Sequence, residues 1–435
     1  MMQTRLVSAL AVVQHIVSIQ ACPFHSTDTG HSPTINNDRR STPNEVVKTA
    51  IENVRVFNGW AFETPSTVCL DGGYIVSVDE CDDAQATVDG TGKFLIPGLI
   101  DSHVHLTDVQ SLENFTSWGC TTAMHMNCRN YTQCETMKNQ PGLASFIHAG
   151  LAAVGNGSLH EKQDPTRLRN TLIYPDTNVV EWTDWQFGNG SNFMKITAEV
   201  NGPSTEQQTE MVQQTHSKYR AQTMTHASAI AAYQQAVASK TDGIQHVPDD
   251  GILDNATIHA ILVQGQFVTP TINVFEFAYR EAALQQYFSV TPGSNRSLEH
   301  AQTNARLLYQ AGVPLIAGTD AVGTLPQNGT SIQVPWGLTL HYELENFVNI
   351  VGMSPAEAIN AATREAAKWH RVPDRGSVAV GQRADVLMLN SNPLLNITNT
   401  RDIAKAWAFG FEIAALASVE SSAENPGDLP EGDKV

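Results

Sequence analysis

Two histidines placed two positions apart end an extended apolar segment. They are His103 and His105, in FLIPGLIDSHVHL at residues 94–106. Alternate side chains of a strand point to the same face, so both imidazoles can reach one ion. A bare His-X-His pair also occurs by chance. This pair gains weight from its place at the carboxyl end of a strand, where barrel active sites are assembled. The pattern therefore predicts a metal site.

Four further candidates follow later apolar strands: Lys195 in FMKIT, His226 in TMTHA, His246 in IQHV and Asp320 in AGTDA. Taken singly, each has an ordinary structural explanation, such as a snorkelling lysine, a hydrogen-bonded core histidine or a helix N-cap aspartate. Taken together with the histidine pair, they stand at the carboxyl ends of five strands. We predict that the six side chains form one ring.

The middle of the chain must position this ring, and it alternates short apolar strands with longer amphipathic stretches. That rhythm is typical of repeated β-α units around a parallel sheet. The strand candidates are FLIPGLID, TTAMHM, ASFIHAG, NFMKIT, AQTMTHA, GIQHV, FVTPTI and VPLIAGTD. Eight such strands predict an α/β fold, a TIM-like (β/α)8 barrel over residues 95–370.

Short apolar runs separated by turn signals flank this middle part, at residues 48–94 and again at 371–420. Such runs are typical of small β-structures. We expect one composite β-sandwich domain built from the N- and C-terminal segments, and two unrelated β-caps are the alternative. Residues 155–190 interrupt the barrel rhythm with Gly, Asn, Asp and the aromatic side chains Trp182, Trp185 and Phe187. An insertion after the third strand is expected to cover the pocket; a glycosylated surface loop is the other interpretation.

The N-terminus has a basic start, an apolar stretch and a small residue at Ala21. This is the pattern of a signal peptide over residues 1–21. Gln14 and His15 interrupt the apolar run, which leaves a cytosolic leader or a membrane-surface helix as alternatives. Residues 22–47 and 421–435 have the polar composition of a disordered lead-in and tail.

Sequons and cysteines support an extracellular location. Six cysteines suit an oxidising compartment. Cys69 with Cys81 and Cys128 with Cys134 are the local pairings we expect, and buried free thiols are the alternative. Eight Asn-X-Ser/Thr sequons occur, at Asn114, Asn130, Asn156, Asn189, Asn255, Asn295, Asn328 and Asn396. We therefore predict a secreted glycoprotein.

The charge balance excludes two classes of partner. With 44 acidic and 26 basic side chains, the formal net charge is −18. Such a surface repels nucleic acid and anionic membranes. No second apolar segment reaches the ~20 residues of a membrane span. A small-molecule substrate is the expected partner, and homo-oligomerisation stays open.

With these residues the chain resembles the amidohydrolase superfamily, in particular members with an HxH pair, a strand-four lysine, two later histidines and a strand-eight aspartate. The likeness is to imidazolonepropionase-like, Xaa-Pro dipeptidase-like and ochratoxinase-like amidohydrolases. It runs over about residues 46–415. Its most specific segments are PGLIDSHVHL, the GTDA run and MSPAEAINAATREAAKWHRVPDRGSVAVGQRADVLMLNSNPL, which resembles the segment leaving the barrel for the flanking β-module.

The resemblance implies two divalent metal ions as cofactors. His103, His105 and Asp320 would hold one ion, and His226 and His246 the other. Lys195 would be carboxylated by CO2 and bridge both, because an ammonium cannot ligate whereas a carbamate oxygen can. Imidazoles with carboxylate-type oxygens favour Zn²⁺, and ligand type alone leaves Mn²⁺, Fe²⁺ and Co²⁺ open.

The implied reaction is hydrolysis of a carbon–nitrogen bond in an amide, a dipeptide-like compound or a lactam. A metal-bridged hydroxide would attack, and Asp320 would act as general base and then as general acid. A single-metal deaminase would instead need a strand-five glutamate beside HAE-like spacing, which we do not find. A metal-dependent decarboxylase or other lyase on the same scaffold is the second hypothesis, and a non-catalytic binding protein derived from it is the third.

Substrate contacts are expected where further side chains end or follow strands. A structural role is the alternative for each of them. Asp101 is expected to orient a ligand histidine rather than to bind metal. The candidate substrate-binding residues are His125, His148, Tyr279, Arg280, Trp336 and His341.

Overall fold

The structure, a computed structural model, describes residues 46–164, 166–281, 284–285, 290, 293–327, 330–413 and 416–417. The predictions for the signal peptide, the tail and all but the last two residues of the lead-in lie outside the described residues. The strands are β1 (Thr49–Val56), β2 (Ser66–Asp71), β3 (Tyr74–Ser77), β4 (Ala86–Asp89), β5 (Phe94–Pro97), β6 (Leu99–Val104), β7 (Cys120–His125), β8 (Ser145–His148), β9 (Met194–Thr197), β10 (Thr223–His226), β11 (Gly243–Gln245), β12 (Phe267–Thr269), β13 (Gly323–Gln327), β14 (Thr330–Val334), β15 (Val386–Leu389), β16 (Ile403–Ala408) and β17 (Phe411–Glu412).

Helices alternate with the central strands, as the amphipathic stretches predict. They are α1 (Val109–Ser117), α2 (Tyr131–Met137), α3 (Leu159–Gln163), α4 (Val179–Gly188), α5 (Thr205–Gln214), α6 (Ile230–Ser239), α7 (Asn255–Gln264), α8 (Ile272–Arg280), α9 (Leu298–Gln310), α10 (Leu338–Asn346), α11 (Pro355–Ala361) and α12 (Arg364–Trp369). Short helical turns occur at Arg169–Thr171, Thr215–Tyr219, Phe347–Val351 and Ile397–Arg401. Among the described residues, no helix combines the length and the apolar character that crossing a membrane requires.

Both ends of the chain contribute to one flanking sheet. Its strand order is β17-β16-β15-β5-β1-β2-β3, with β4 paired to β1. The two ends meet where β5 runs antiparallel to β15, with Phe94 opposite Leu389 and Pro97 opposite Val386. The sequence correctly anticipates this union of distant segments. Its folding into a two-layer sandwich stays a prediction.

The central strands are parallel and almost fully buried, because helices cover them. They form a sheet of β6-β7-β8 and another in the order β12-β11-β10-β9. Single parallel bridges link the remaining edges: Ala153 with Ile196, Val268 with Leu315, and Val104 with Ala321. The described strands thus follow the predicted order, although they do not make one continuous closed sheet.

Two predicted strands differ in detail from the structure. FLIPGLID is not one strand: Phe94–Pro97 belongs to the flanking sheet, and the central strand begins at Leu99. Gly98 separates the two, and a side chain there would overlap Thr121. VPLIAGTD is not a regular strand and contributes a single bridge at Leu315. Its extended backbone still brings Asp320 beside β6, since the Asp320 amide donates to the His103 carbonyl at 2.7 Å.

Both local cysteine pairings are confirmed as disulfides. Cys69 of β2 joins Cys81 in the loop between β3 and β4, and Cys128, which precedes α2, joins Cys134 within that helix. Cys120 is a buried free thiol, and Cys22 lies outside the described residues. The two disulfides join cysteines 12 and 6 positions apart, so each closes a short local loop.

Helix α8 begins with an unusual cap. Its N-cap residue, Thr271, has left-handed backbone and makes no side-chain cap. The buried carboxyl group of Glu343 on α10 instead accepts the amides of Ile272 and Asn273, each at 2.8 Å. A helix N-terminus leaves its first amides without intrahelical partners, so this distant carboxyl group replaces the missing local cap.

We predict that Glu343→Ala lowers the free energy of unfolding by about 1–3 kcal/mol, because two buried amides lose their acceptor. Urea denaturation followed by circular dichroism measures this change. Glu210→Ala, at an exposed position of α5, is the control and should change stability by less than about 0.5 kcal/mol. Equal stabilities of the two variants would contradict this account of the cap.

Candidate metal centre

One cavity collects all six side chains of the predicted ring. It has a volume of about 470 Å³ and is lined by His103, His105, Lys195, His226, His246 and Asp320 among others. The strands explain the convergence. His103 and Lys195 lie within β6 and β9, His226 ends β10, His105 and His246 directly follow β6 and β11, and Asp320 lies in an irregular segment beside β6. Parallel strands place their carboxyl ends on one rim, so residues far apart in sequence meet there.

Asp320 lies at the centre of the group. Its Oδ1 is 3.2 Å from His103 Nε2 and 3.0 Å from His105 Nε2. One ligand atom each from His103, His246 and Asp320 lie within 4.8 Å of one another. The His246 ring is 4.8 Å from that of His103 and 4.5 Å from that of His226, measured between centroids. These separations allow several donors to share one ion or a close pair of ions.

The backbone is strained at three points of this rim. His246, Thr271 and Asp320 have φ values of 71°, 51° and 56°, in the left-handed region that side chains with a Cβ rarely adopt. Such strain persists only where surrounding contacts determine the conformation, and it clusters at functional sites. Here it aims His246 and Asp320 into the cavity.

Hydrogen bonds at Nδ1 fix the orientation of two imidazoles. His103 Nδ1 lies 2.9 Å from Gln245 Oε1, and His246 Nδ1 lies 2.7 Å from Thr271 Oγ1. A proton held on Nδ1 leaves Nε2 with a lone pair that can bind a metal. His103 then presents this lone pair to the Asp320 carboxylate, an arrangement that a cation between them stabilises. The donor set fits a metal ion on this ground.

Burial keeps three of the imidazoles neutral. It lowers the pKa of His103 to about 4 and holds the pKa values of His226 and His246 well below the ordinary value. Burial alone would raise the pKa of Asp320, but the contacts of its carboxylate with the His103 and His105 rings outweigh this effect and hold that pKa well below its usual range. At neutral pH the site therefore combines uncharged nitrogen donors with one anionic oxygen.

Lys195 is buried at the same rim, and its Nζ has no hydrogen-bond partner among the described residues. Burial lowers the pKa of this amine to about 7. An unpaired buried ammonium is costly, so the lysine is readily deprotonated. A neutral amine can react with CO2, which is what the predicted carbamate requires. The orphaned nitrogen is thus a second observation that fits a metal-bridging role.

Three candidate substrate contacts do not line the cavity. The His125 and His148 rings accept backbone amides through Nδ1, from Leu106 and Gly150, each at 3.1 Å. His341 is buried between Thr400 Oγ1 and the Trp118 carbonyl, each at 2.9 Å. Hydrogen bonds to the protein hold these histidines, and their positions favour structural roles.

The other three candidates lie at the edge of the site or outside it. Tyr279 lines a small adjoining cavity and donates to Asp249 Oδ2 at 2.8 Å. Arg280 ends α8 and does not line either cavity. Trp336 donates from Nε1 to the His105 carbonyl at 2.9 Å, so it supports a ring member from behind. Asp101 likewise accepts the His103 amide at 3.0 Å and does not hold its imidazole.

Sequence reasoning missed two groups at the cavity, His160 and Glu199. His160 lies on α3 in the predicted insertion, and its ring is 4.5 Å from that of His226. Its Nδ1 lies 2.8 Å from Glu199 Oε1. Lys162 and Arg167 also line the cavity, so the early part of the insertion does cover it. The three aromatic side chains that drew notice there belong to α4 and are not in the lining, so polar residues cover the pocket.

Comparisons with known proteins agree with this geometry. The model of the amidohydrolase family matches residues 94–418. The chain is 24% identical to an imidazolonepropionase of Rhodococcus jostii over 76% of this chain and 84% of that protein. It spans 14% and 56% of the length of two adenine deaminases, of Shouchella clausii and Desulfatibacillum aliphaticivorans, at 37% and 24% identity.

Solved structures share the fold at lower sequence identity. A Xaa-Pro dipeptidase crystallised with methionine in its active site superposes with a TM-score of 0.70 at 19% identity, over 84% of this chain and 99% of that one. The ochratoxinase of A. niger gives 0.68 at 18% identity, over 88% and 100%. These similarities establish the predicted TIM-barrel architecture with mixed α and β content.

Replacing Gln245 by Ala should weaken metal binding about 10- to 100-fold, because His103 loses the acceptor that fixes its ring. Competition with a chromogenic chelator measures the affinity. Gln266→Ala is the matched control: Gln266 is also buried, but it precedes β12 and donates to the Thr241 carbonyl. If both variants bound metal like the unaltered protein, Gln245 would have no role in the centre.

Proposed function

Because the chain belongs to the amidohydrolase family, whose members hydrolyse carbon–nitrogen bonds, we propose that it is a binuclear metal hydrolase of a small amide, a dipeptide-like compound or a lactam. One observation carries this proposal: six side chains from five separate segments of the barrel line a single cavity. Four are imidazoles, one is a carboxylate and one is a lysine whose lowered pKa suits carboxylation. No structural need of a barrel rim explains that combination.

In this proposal His103, His105 and Asp320 would hold one divalent ion, His226 and His246 would hold the second, and carboxylated Lys195 would be a ligand of both. Zn²⁺ suits a set of imidazoles and oxygens. When bound, the ions lower the pKa of water and polarise the substrate carbonyl. The low pKa values of the imidazoles support the assignment, because a metal competes with the proton for the same nitrogen.

The chain's own groups supply orientation and proton transfer. Asp320 is ionised, central and held in strained backbone, so its carboxylate can take a proton from the attacking water and pass it to the departing nitrogen. Gln245 and Thr271 keep the imidazoles from turning.

Secretion and glycosylation remain part of the proposal. Two disulfides are typical of chains that fold in an oxidising compartment. Of the sequons in the described residues, five present an exposed asparagine: Asn156, Asn189, Asn255, Asn295 and Asn396. An exposed asparagine is what attachment of a glycan requires.

Metal analysis of protein purified from a secreting host should give about two equivalents of divalent metal per chain. His226→Ala should lose at least one equivalent together with amide hydrolysis, because a ligand nitrogen is gone. His259→Ala is the matched control, since His259 is exposed on α7. A metal content near zero in the unaltered protein, or one unchanged in His226→Ala, would contradict the proposed centre.

Reloading metal-free protein in buffer stripped of CO2 should leave it with one equivalent or less, and added bicarbonate should restore the second. The physical reason is that the Lys195 amine becomes a ligand only as a carbamate. Lys195→Ala should bind the lower amount with or without bicarbonate, and this insensitivity is the control. Full metal loading of the unaltered protein without CO2 would contradict carboxylation of Lys195, but it would not contradict the assignment of the other metal ligands.

A further inference from the structure

A second, much smaller cavity adjoins the metal centre. Its volume is about 40 Å³, against about 470 Å³ for the main cavity. His226, His246 and Asp320 line both. The reacting groups therefore stand at the junction of two spaces that differ about tenfold in size.

The two spaces also differ in chemistry. Among the described residues, Val274, Phe275 and Ala278 of α8 give the small cavity an apolar wall, with Tyr279 beside them. The main cavity instead meets charged side chains of both signs, among them Lys162, Asp164 and Arg167 of the insertion and Glu199. One side of the junction is suited to a short hydrocarbon group and the other to a larger, polar group.

The wall of the small cavity is fixed in place. Val274, Phe275 and Ala278 are buried, and Glu343 anchors the first turn of α8. At the other end, Tyr279 donates to the buried Asp249 at 2.8 Å.

The part of the small cavity lined by Arg296 and Asp249 is equally constrained. Arg296, which lines both cavities, donates to Asp249 from Nε at 2.9 Å. A packed and hydrogen-bonded wall does not expand readily, because interiors are close to crystal density. The small cavity therefore sets a size limit.

We infer, building on the proposed function, that the small cavity is a specificity pocket for a short apolar substituent on one side of the scissile carbon–nitrogen bond. A water molecule needs roughly 10–15 Å³ of such space, so the pocket takes about three non-hydrogen atoms, up to the size of an isopropyl group. The larger, polar half of the substrate occupies the main cavity. The substrate class is thus an asymmetric amide with one small aliphatic end.

Two mirror series of amides test the size limit. The first series varies the acyl half: formyl, acetyl, propionyl, isobutyryl, pivaloyl or benzoyl groups are attached to the nitrogen of 4-aminobenzoate. The second series varies the amine half: methyl to tert-butyl and phenyl groups are attached to the amide nitrogen of 4-carboxybenzamide. In one series kcat/KM should fall tenfold or more beyond the isopropyl-sized member, because a small rigid pocket discriminates single carbon groups by that factor. The series that shows the fall identifies the small half as acyl or amine. A smooth response in both series, or a sharp limit in both, overturns the inference.

Substitutions in α8 test whether this helix sets the size limit of the small cavity. Phe275→Leu, which enlarges the pocket, should raise kcat/KM for the next larger substrate tenfold or more, while Ala278→Val should abolish the isopropyl-sized one and spare the smallest. Phe277→Leu is the matched control, because Phe277 lies on the same helix outside the pocket lining. Thermal unfolding confirms that each variant is folded. Identical size profiles for Phe275→Leu and Phe277→Leu would show that α8 does not set the limit.

Binding of alkyl hydroxamic acids tests the pocket without turnover, since these ligands chelate metal directly. Calorimetry on the metal-loaded protein should show isobutyrohydroxamic acid binding at least tenfold more weakly to Ala278→Val than to the unaltered protein, with acetohydroxamic acid unchanged. Unchanged affinities for both overturn the pocket assignment but leave the metal centre intact. Absence of any hydroxamate binding together with absence of metal overturns the proposed function itself, and the pocket inference with it.

Discussion

The centre depends on burial of ionisable side chains where charge is expensive. An ammonium or imidazolium placed at this rim without a partner would cost several kcal/mol, so the protonated forms are disfavoured. That single constraint turns three histidines into neutral nitrogen donors and lowers the pKa of Lys195 to about 7. Asp320 remains ionised, because its contacts with the histidine rings outweigh its own desolvation. Burial thus creates both the metal affinity and the chemical readiness of the lysine.

Burial alone does not aim the donors, and the rest of the rim supplies that direction. Left-handed backbone at His246 and Asp320 is tolerated because neighbouring strands determine it; for instance, the Asp320 amide is held by the His103 carbonyl. Thr271 shows how the constraints are coupled. Thr271 lies between β12 and α8 in strained backbone, and its hydroxyl group holds the His246 ring. Thr271 does not cap α8 with its own side chain, and Glu343 caps the helix instead. Strain at the rim is therefore supported by hydrogen bonds one layer further out.

The sequence predicted the ring and the barrel order because both follow from periodicity. A residue at the carboxyl end of an apolar run is expected to reach the rim, and His103, Lys195, His226 and Asp320 do line the same cavity. His148 also ends a strand but does not line that cavity, and His341 lies in α10. Position along a strand or helix does not reveal which neighbour satisfies a ring nitrogen, and hydrogen bonds to the protein hold both of these histidines.

Other features were invisible for physical reasons. The division of FLIPGLID at Gly98 depends on a tertiary contact with Thr121, and no local pattern records it. His160 lies on a short helix of an irregular insertion, outside any periodic segment, so its approach to His226 is set by the path of the loop. The one sequence signal for His160 was that it lies in the insertion predicted to cover the pocket.

The division between strand ends and covering segments explains how chemistry and selectivity are separated in this molecule. The donors stand on strands or at their ends, where parallel pairing fixes them to within narrow limits. The walls that a substrate meets come from α8 and from the insertion, which lie outside the sheets and can change without moving a donor. Replacing Phe275 alters a wall, whereas replacing Gln245 alters a donor's orientation. Family membership therefore constrains the reaction more than the substrate, because a shared fold does not fix the side chains of the covering segments that a substrate meets.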